Sequence, residues 1–128
     1  MPVARQTVLV VDPSDETLEV LRTALASQGA EILSARRAEQ GLDLARRHRP
    51  TVIVLDEDAE SAWSGQLAAQ FDDAALRNHT SLLVLGAARR RHRLPTGEFM
   101  AKPYHYAPLI RKIELLLAQA QQAFARSA

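Results

Sequence analysis

The 128-residue sequence contains no cysteine, and it has no apolar run long enough to cross a membrane. The absence of cysteine excludes a disulfide framework and any metal site built from thiolates. A membrane-spanning helix needs about 20 consecutive apolar residues, and the longest runs here are far shorter. The first residues also lack the small-residue cleavage site of a secretory signal. We therefore expect a cytoplasmic protein without a membrane partner.

The length and composition are those of a single globular domain. Hydrophobic residues make up 47% of the chain, which excludes a disordered protein and is sufficient for a buried core. No linker-like stretch or internal repeat divides the chain. We expect one domain over residues 1–128, with its core over about residues 6–120. The net charge of +1 indicates no particular charged partner.

Strands and helices alternate along the whole sequence. Apolar runs predict five strands, at Thr7–Val11, Glu31–Ser34, Thr51–Leu55, Ser81–Leu85 and Glu98–Ala101. Helical spacing of apolar residues predicts helices at about residues 15–28, Ala38–His48, Gly65–Leu76 and from Pro108 to about Phe124. Such alternation implies right-handed crossovers, and therefore a parallel sheet with helices on both faces.

Charged side chains follow three of the predicted strands. Asp12 comes after the first strand, Asp56 after the third and Lys102 after the fifth. In sheets of this kind, ligands bind beyond the carboxyl ends of the strands. Two carboxylates there could hold a hard divalent cation such as Mg²⁺. One aspartate could then attack a phosphoryl group, while the lysine acts as a point charge on a phosphoryl oxygen.

In three stretches, taken in order, the chain resembles the receiver domain of two-component response regulators: Val8–Asp12, Pro50–Asp56 and Met100–Tyr104. The resemblance implies a flavodoxin-like α/β fold, a doubly wound parallel sheet of five strands in the order 2-1-3-4-5. It also implies a cis bond before Pro103.

The resemblance assigns roles to the three charged residues. Asp56 is the candidate phosphoacceptor, and Asp12 is one member of the metal-binding acid pair. Lys102 is the residue that contacts the phosphoryl group.

Two departures from the family pattern concern this site. The second acid of the metal-binding pair is replaced by Pro13, which offers no side-chain ligand. Asp15 and Glu57 are acids that could replace it, and the sequence does not decide whether either reaches. The hydroxyl residue that senses the phosphoryl group at the end of the fourth strand is replaced by Gly86. Mg²⁺ binding is therefore expected to be weakened, and no cofactor to be required.

A third departure lies between the fourth and fifth strands, where Gly86–Gly97 has almost no apolar periodicity. We expect mostly loop there, with the family's fourth helix shortened or missing. Within this segment Arg89, Arg90 and Arg93 form part of a basic cluster. The cluster is either a solvated loop or, together with Tyr104, an anion site able to bind a cyclic dinucleotide.

These observations favour a degenerate receiver in a two-component or phosphorelay system. It would act mainly as a protein-interaction module, with phosphorylation at Asp56 impaired or lost. Its partners would be a histidine kinase, another receiver or an output domain. The alternatives are a receiver that accepts phosphate at Asp56, and a pseudo-receiver that binds a cyclic dinucleotide. We do not expect an enzyme, because a glycine-rich phosphate loop and a nucleophile elbow are absent, and we expect no DNA binding, because no recognition helix is visible.

Overall fold

The computed structural model describes residues 6–59, 65–87 and 97–127 of the chain. The strands are β1 (Thr7–Val11), β2 (Glu31–Ala35), β3 (Val52–Asp56), β4 (Ser81–Ala87) and β5 (Gly97–Lys102). The helices are α1 (Asp15–Ala26), α2 (Ala38–His48), α3 (Gly65–Asn78) and α4 (Tyr106–Ser127), with one 3-10 turn at Glu57–Ala59.

The five strands form one parallel sheet in the order β2-β1-β3-β4-β5, as predicted. The chain passes from β1 to β2 on one side and then returns to place β3 on the other side of β1. The strand order therefore reverses between β1 and β3, where ligand sites of doubly wound sheets lie. The residues that end these two strands are consequently the ones best placed to form a site.

The core consists of two layers, one on each face of the sheet. On one face α2 and α3 pack against the strands, with Phe71 fully buried. On the other face α1 and α4 pack through Leu21, Leu25, Leu109 and Ile113. Every residue of β3 is buried, which explains why its apolar run is continuous and does not alternate with polar residues.

Helix α1 begins with a side-chain cap, Ser14, three residues after the last residue of β1. Ser14 has an extended backbone, and its hydroxyl accepts a hydrogen bond from the Thr17 N–H at 3.2 Å. We expect Ser14→Ala to lower the free energy of unfolding by about 1 kcal/mol, because a helix N–H loses its partner. Ser14→Gly should cost only a few tenths of a kcal/mol. Urea unfolding of the two variants checks this, and equal losses would contradict it.

Several boundaries differ from the predicted ones. The fourth strand continues past Leu85 to Ala87, so Gly86 lies inside β4. Glycine is rare in strands, but pairing with the fifth strand extends the ladder here, since Gly86 lies opposite Ala101. A 3-10 turn, Glu57–Ala59, directly follows Asp56. The predicted cis bond before Pro103 is present.

The predicted shortening or loss of the helix between the fourth and fifth strands concerns residues 88–96, which are outside the described residues. Within the part that the structure describes there are four α-helices, and the fourth in chain order, α4, follows β5. None of these described helices combines the length and the apolar character that a membrane span requires.

Candidate functional site

Asp12 is the first residue after β1, at the point where the strand order reverses. Its backbone N–H donates to the Ala35 carbonyl at 2.9 Å, which fixes it beside the end of β2. Its side chain is buried, and Oδ1 accepts a hydrogen bond from the Ser14 N–H at 2.8 Å. Oδ2 is also buried, and no described residue donates a hydrogen bond to it. A buried carboxylate oxygen in this position is suited to a cation.

Asp56 is the last residue of β3 and is equally buried. Its Oδ1 accepts two hydrogen bonds, from the Lys102 ammonium at 2.7 Å and from the Asp58 N–H at 2.8 Å. Lys102 ends β5, two strands away from β3. Its side chain therefore crosses the end of β4 to reach the acid, and it also donates to Asp58 Oδ2 at 2.8 Å.

The electrostatics of the site follow from burial and from the proximity of like charges. The pKa of Asp12 is raised to about 6, mainly by burial and also by the neighbouring Asp56 carboxylate, which together outweigh the lowering effects of the Ser14 N–H and Lys102. Partial burial would lower the pKa of Lys102. Its hydrogen bonds to Asp56 and Asp58 outweigh that effect and raise the pKa above its ordinary value. Lys102 is thus held as a cation beside two acids.

The structure thus brings Asp12, Asp56 and Lys102 together, while the neighbouring positions contribute little to a metal site. Pro13 is exposed. Asp15 is on the surface, where it pairs with Arg36. Among the described residues, no group of three or more histidine, aspartate or glutamate side chains gathers to hold a metal ion.

The donor chemistry nevertheless fits Mg²⁺ in part. Mg²⁺ prefers oxygen ligands and retains several waters when few carboxylates are available. Asp12 and Asp56 are the residues that would hold it, and the unsatisfied Oδ2 of Asp12 is the feature that favours a cation. When bound, the ion would supply positive charge next to both carboxylates.

Two acids that follow Asp56 take positions that the sequence did not reveal. Asp58 contacts Lys102. Because Asp58 comes two residues after the strand-end acid Asp56, the sequence could have suggested this pairing. Glu57 is buried, and its Oε1 accepts a hydrogen bond from the Ala87 N–H at 2.8 Å. The direction of the Glu57 side chain depends on the 3-10 turn, which no sequence signal indicated.

Tyr104, predicted as part of an anion site, is half-buried. Burial raises its pKa, and the Asp12 and Asp56 carboxylates raise it further. Its ring packs edge-on against Tyr106, with 6.2 Å between the ring centroids. Arg89, Arg90 and Arg93 lie outside the described residues. Their binding of a cyclic dinucleotide therefore stays a prediction.

Known proteins resemble this chain in sequence or in fold. The chain is similar to the polar-differentiation response regulator DivK of Brucella anthropi, with 26% identity over 121 residues that cover 90% of this chain and 98% of that protein. No family model matches the chain.

Two solved structures show the same fold. A response regulator receiver domain protein from Clostridium thermocellum has a TM-score of 0.72 and 18% identity, covering 92% of this chain and 98% of that one. The chemotaxis protein CheY4 of Vibrio cholerae has a TM-score of 0.64 and 17% identity, covering 88% and 99%.

Proposed function

We propose that this chain, which is a receiver domain of the two-component response-regulator family, acts mainly as a protein-interaction module whose phosphorylation at Asp56 is impaired. Its partners would be a histidine kinase, another receiver or an output domain, and it would act in the cytoplasm as a signalling module rather than as an enzyme.

The observation that carries this proposal is the small number of carboxylates that face one another at the end of the sheet. Asp12 and Asp56 meet, but the other nearby acids are engaged elsewhere: Asp58 with Lys102, Asp15 with Arg36 and Glu57 with the Ala87 N–H. With two carboxylates to hold it among the described residues, Mg²⁺ would bind weakly. Without the ion, an incoming phosphoryl group would meet two carboxylates, and in the described part of the chain Lys102 is the cation that pairs with one of them.

The second candidate function is a receiver that still accepts phosphate at Asp56. The contact between Lys102 and Asp56 favours it, since the lysine is already placed to neutralise an added oxygen. The unsatisfied Oδ2 of Asp12 favours it as well, because a cation could bind there. The two candidates differ in whether these features suffice without a third acid.

Beryllofluoride, a phosphoryl mimic, separates the two candidates when it is added with Mg²⁺ to the ¹⁵N-labelled chain. We expect the wild-type chain to show no saturable amide shifts around Asp56 at millimolar concentrations of both reagents. Asp56→Asn is the matched control, because it keeps the size of the side chain and removes the attachment point. Saturable shifts in the wild type that disappear in Asp56→Asn would establish the phosphate-accepting receiver instead.

The interaction half of the proposal has its own measurement. If the module binds partners without phosphorylation, Asp56→Asn should retain in-cell cross-links to the same proteins as the wild-type chain. A loss of those cross-links in Asp56→Asn would show that partner binding depends on phosphorylation at Asp56.

A further inference from the structure

Glu57, the first residue after β3, lies beside Gly86, the last residue but one of β4. Asp56 is opposite Leu85 in the sheet. The residues that follow them in the two parallel strands, Glu57 and Gly86, are therefore also neighbours. A Cβ built on Gly86 would lie 2.3 Å from the Glu57 Cδ and 2.4 Å and 2.7 Å from its carboxylate oxygens. Atoms do not approach that closely. The Glu57 carboxylate therefore occupies the space that a side chain at position 86 would fill.

The carboxylate in that space is bound to the backbone. Glu57 Oε1 accepts a hydrogen bond from the Ala87 N–H at 2.8 Å, and the Glu57 residue is only 3% exposed. A hydrogen bond from an amide to a charged, buried carboxylate is stronger than one between neutral groups. Ala87 ends β4 and is opposite Lys102 in the sheet. The bond thus connects the turn after Asp56 to the strand end beside Lys102.

We propose that Glu57 and Gly86 form an internal latch, in which the Glu57 carboxylate holds the Ala87 N–H and keeps the end of β4 in one position whatever is bound at Asp56. Glu57 is a positioning residue in this arrangement. An anion at Asp56 would have to displace a tethered carboxylate to reach the Ala87 N–H, and an intramolecular group competes at a high effective concentration. Gly86 is the residue that makes room for the latch.

Hydrogen exchange at the Ala87 amide tests the bond without any ligand. Glu57→Met fills a similar volume but lacks a charged acceptor. In this variant we expect the Ala87 amide to exchange at least about ten times faster than in the wild type. Glu57→Gln keeps an oxygen acceptor and should recover part of the protection. Glu39→Met, the same substitution at an exposed position of α2, is the matched control and should leave Ala87 unchanged. If the Ala87 amide of folded Glu57→Met exchanged at the wild-type rate, the proposed latch would be wrong.

Thermal unfolding tests the exclusion between the two side chains. Gly86→Ala should lower the Tm by roughly 5–10 °C, because the Glu57 carboxylate must move away from the new Cβ and then loses its hydrogen bond from the Ala87 N–H. In a Glu57→Ala background, where the space is open, the same substitution should change the Tm far less. Equal losses in the two backgrounds would show that Gly86 is not coupled to Glu57, and would overturn the inference.

Beryllofluoride with Mg²⁺ distinguishes this inference from the proposed function. If the wild-type chain binds the mimic at Asp56, phosphorylation is not impaired. The latch still predicts that the Ala87 amide does not shift in the wild type and does shift in Glu57→Met. An Ala87 shift of equal size in both chains would overturn the latch. If neither chain binds the mimic, the exchange and thermal measurements decide the inference alone.

Discussion

Pro13→Asp is expected to strengthen Mg²⁺ binding by about tenfold or more, which corresponds to about 1.4 kcal/mol of binding free energy. The substitution places a third carboxylate next to the buried Asp12. The structure has room for it, because Pro13 is exposed and lies between β1 and the Ser14 cap of α1. Proline has no backbone N–H, so its replacement removes no hydrogen bond.

The measurement is a Mg²⁺ titration followed by the amide signals of Asp12 and Ser14. Pro13→Asn is the matched control, since it restores the same backbone freedom without charge. The double variant Asp12→Asn with Pro13→Asp should lose most of the gain, because one of the three carboxylates is missing. An affinity of Pro13→Asp equal to that of Pro13→Asn would show that the missing acid is not what limits the site.

Asp12→Asn is expected to raise the free energy of unfolding by about 1–3 kcal/mol at about pH 8. The pKa of Asp12 is about 6 in the folded chain and 3.8 in its ordinary state. The folded state therefore binds a proton more tightly than the unfolded state. Stability falls as the pH rises through the window from about 4 to about 6, and the full cost of the buried charge is present above it. Asparagine carries no charge and avoids that cost.

Urea unfolding of both chains at several pH values tests this sign. The difference between Asp12→Asn and the wild type should shrink towards zero near about pH 4, where the aspartate is also neutral. Glu19→Gln, which removes an exposed negative charge from α1, is the control and should show no comparable difference. A gain that does not change with pH would point to packing rather than to charge. Mg²⁺ should stabilise the wild type more than Asp12→Asn, because the ion offsets the same charge.

The fold was predictable because its causes are local and repeated. The apolar runs that became β1 and β3 are continuous since those strands are covered on both faces, and the helices show their buried residues at helical spacing. Boundaries were predicted less well. Gly86 marked the end of a strand in the sequence, but pairing with β5 carries β4 through it. Hydrogen bonding between strands distant in sequence overrode the weak preference of one residue.

The gathering of Asp12, Asp56 and Lys102 at one edge of the sheet was predictable from the order of residues alone, because the carboxyl ends of parallel strands share one edge of a sheet. The contacts of the remaining acids, in contrast, follow from the folded arrangement of the chain. Asp58 pairs with Lys102, and Glu57 is directed to the Ala87 N–H in the space that Gly86 leaves open. These contacts depend on a 3-10 turn and on the register between β3 and β4. Both are set by packing and hydrogen bonding across the sheet, and these interactions produce no periodic pattern in the sequence.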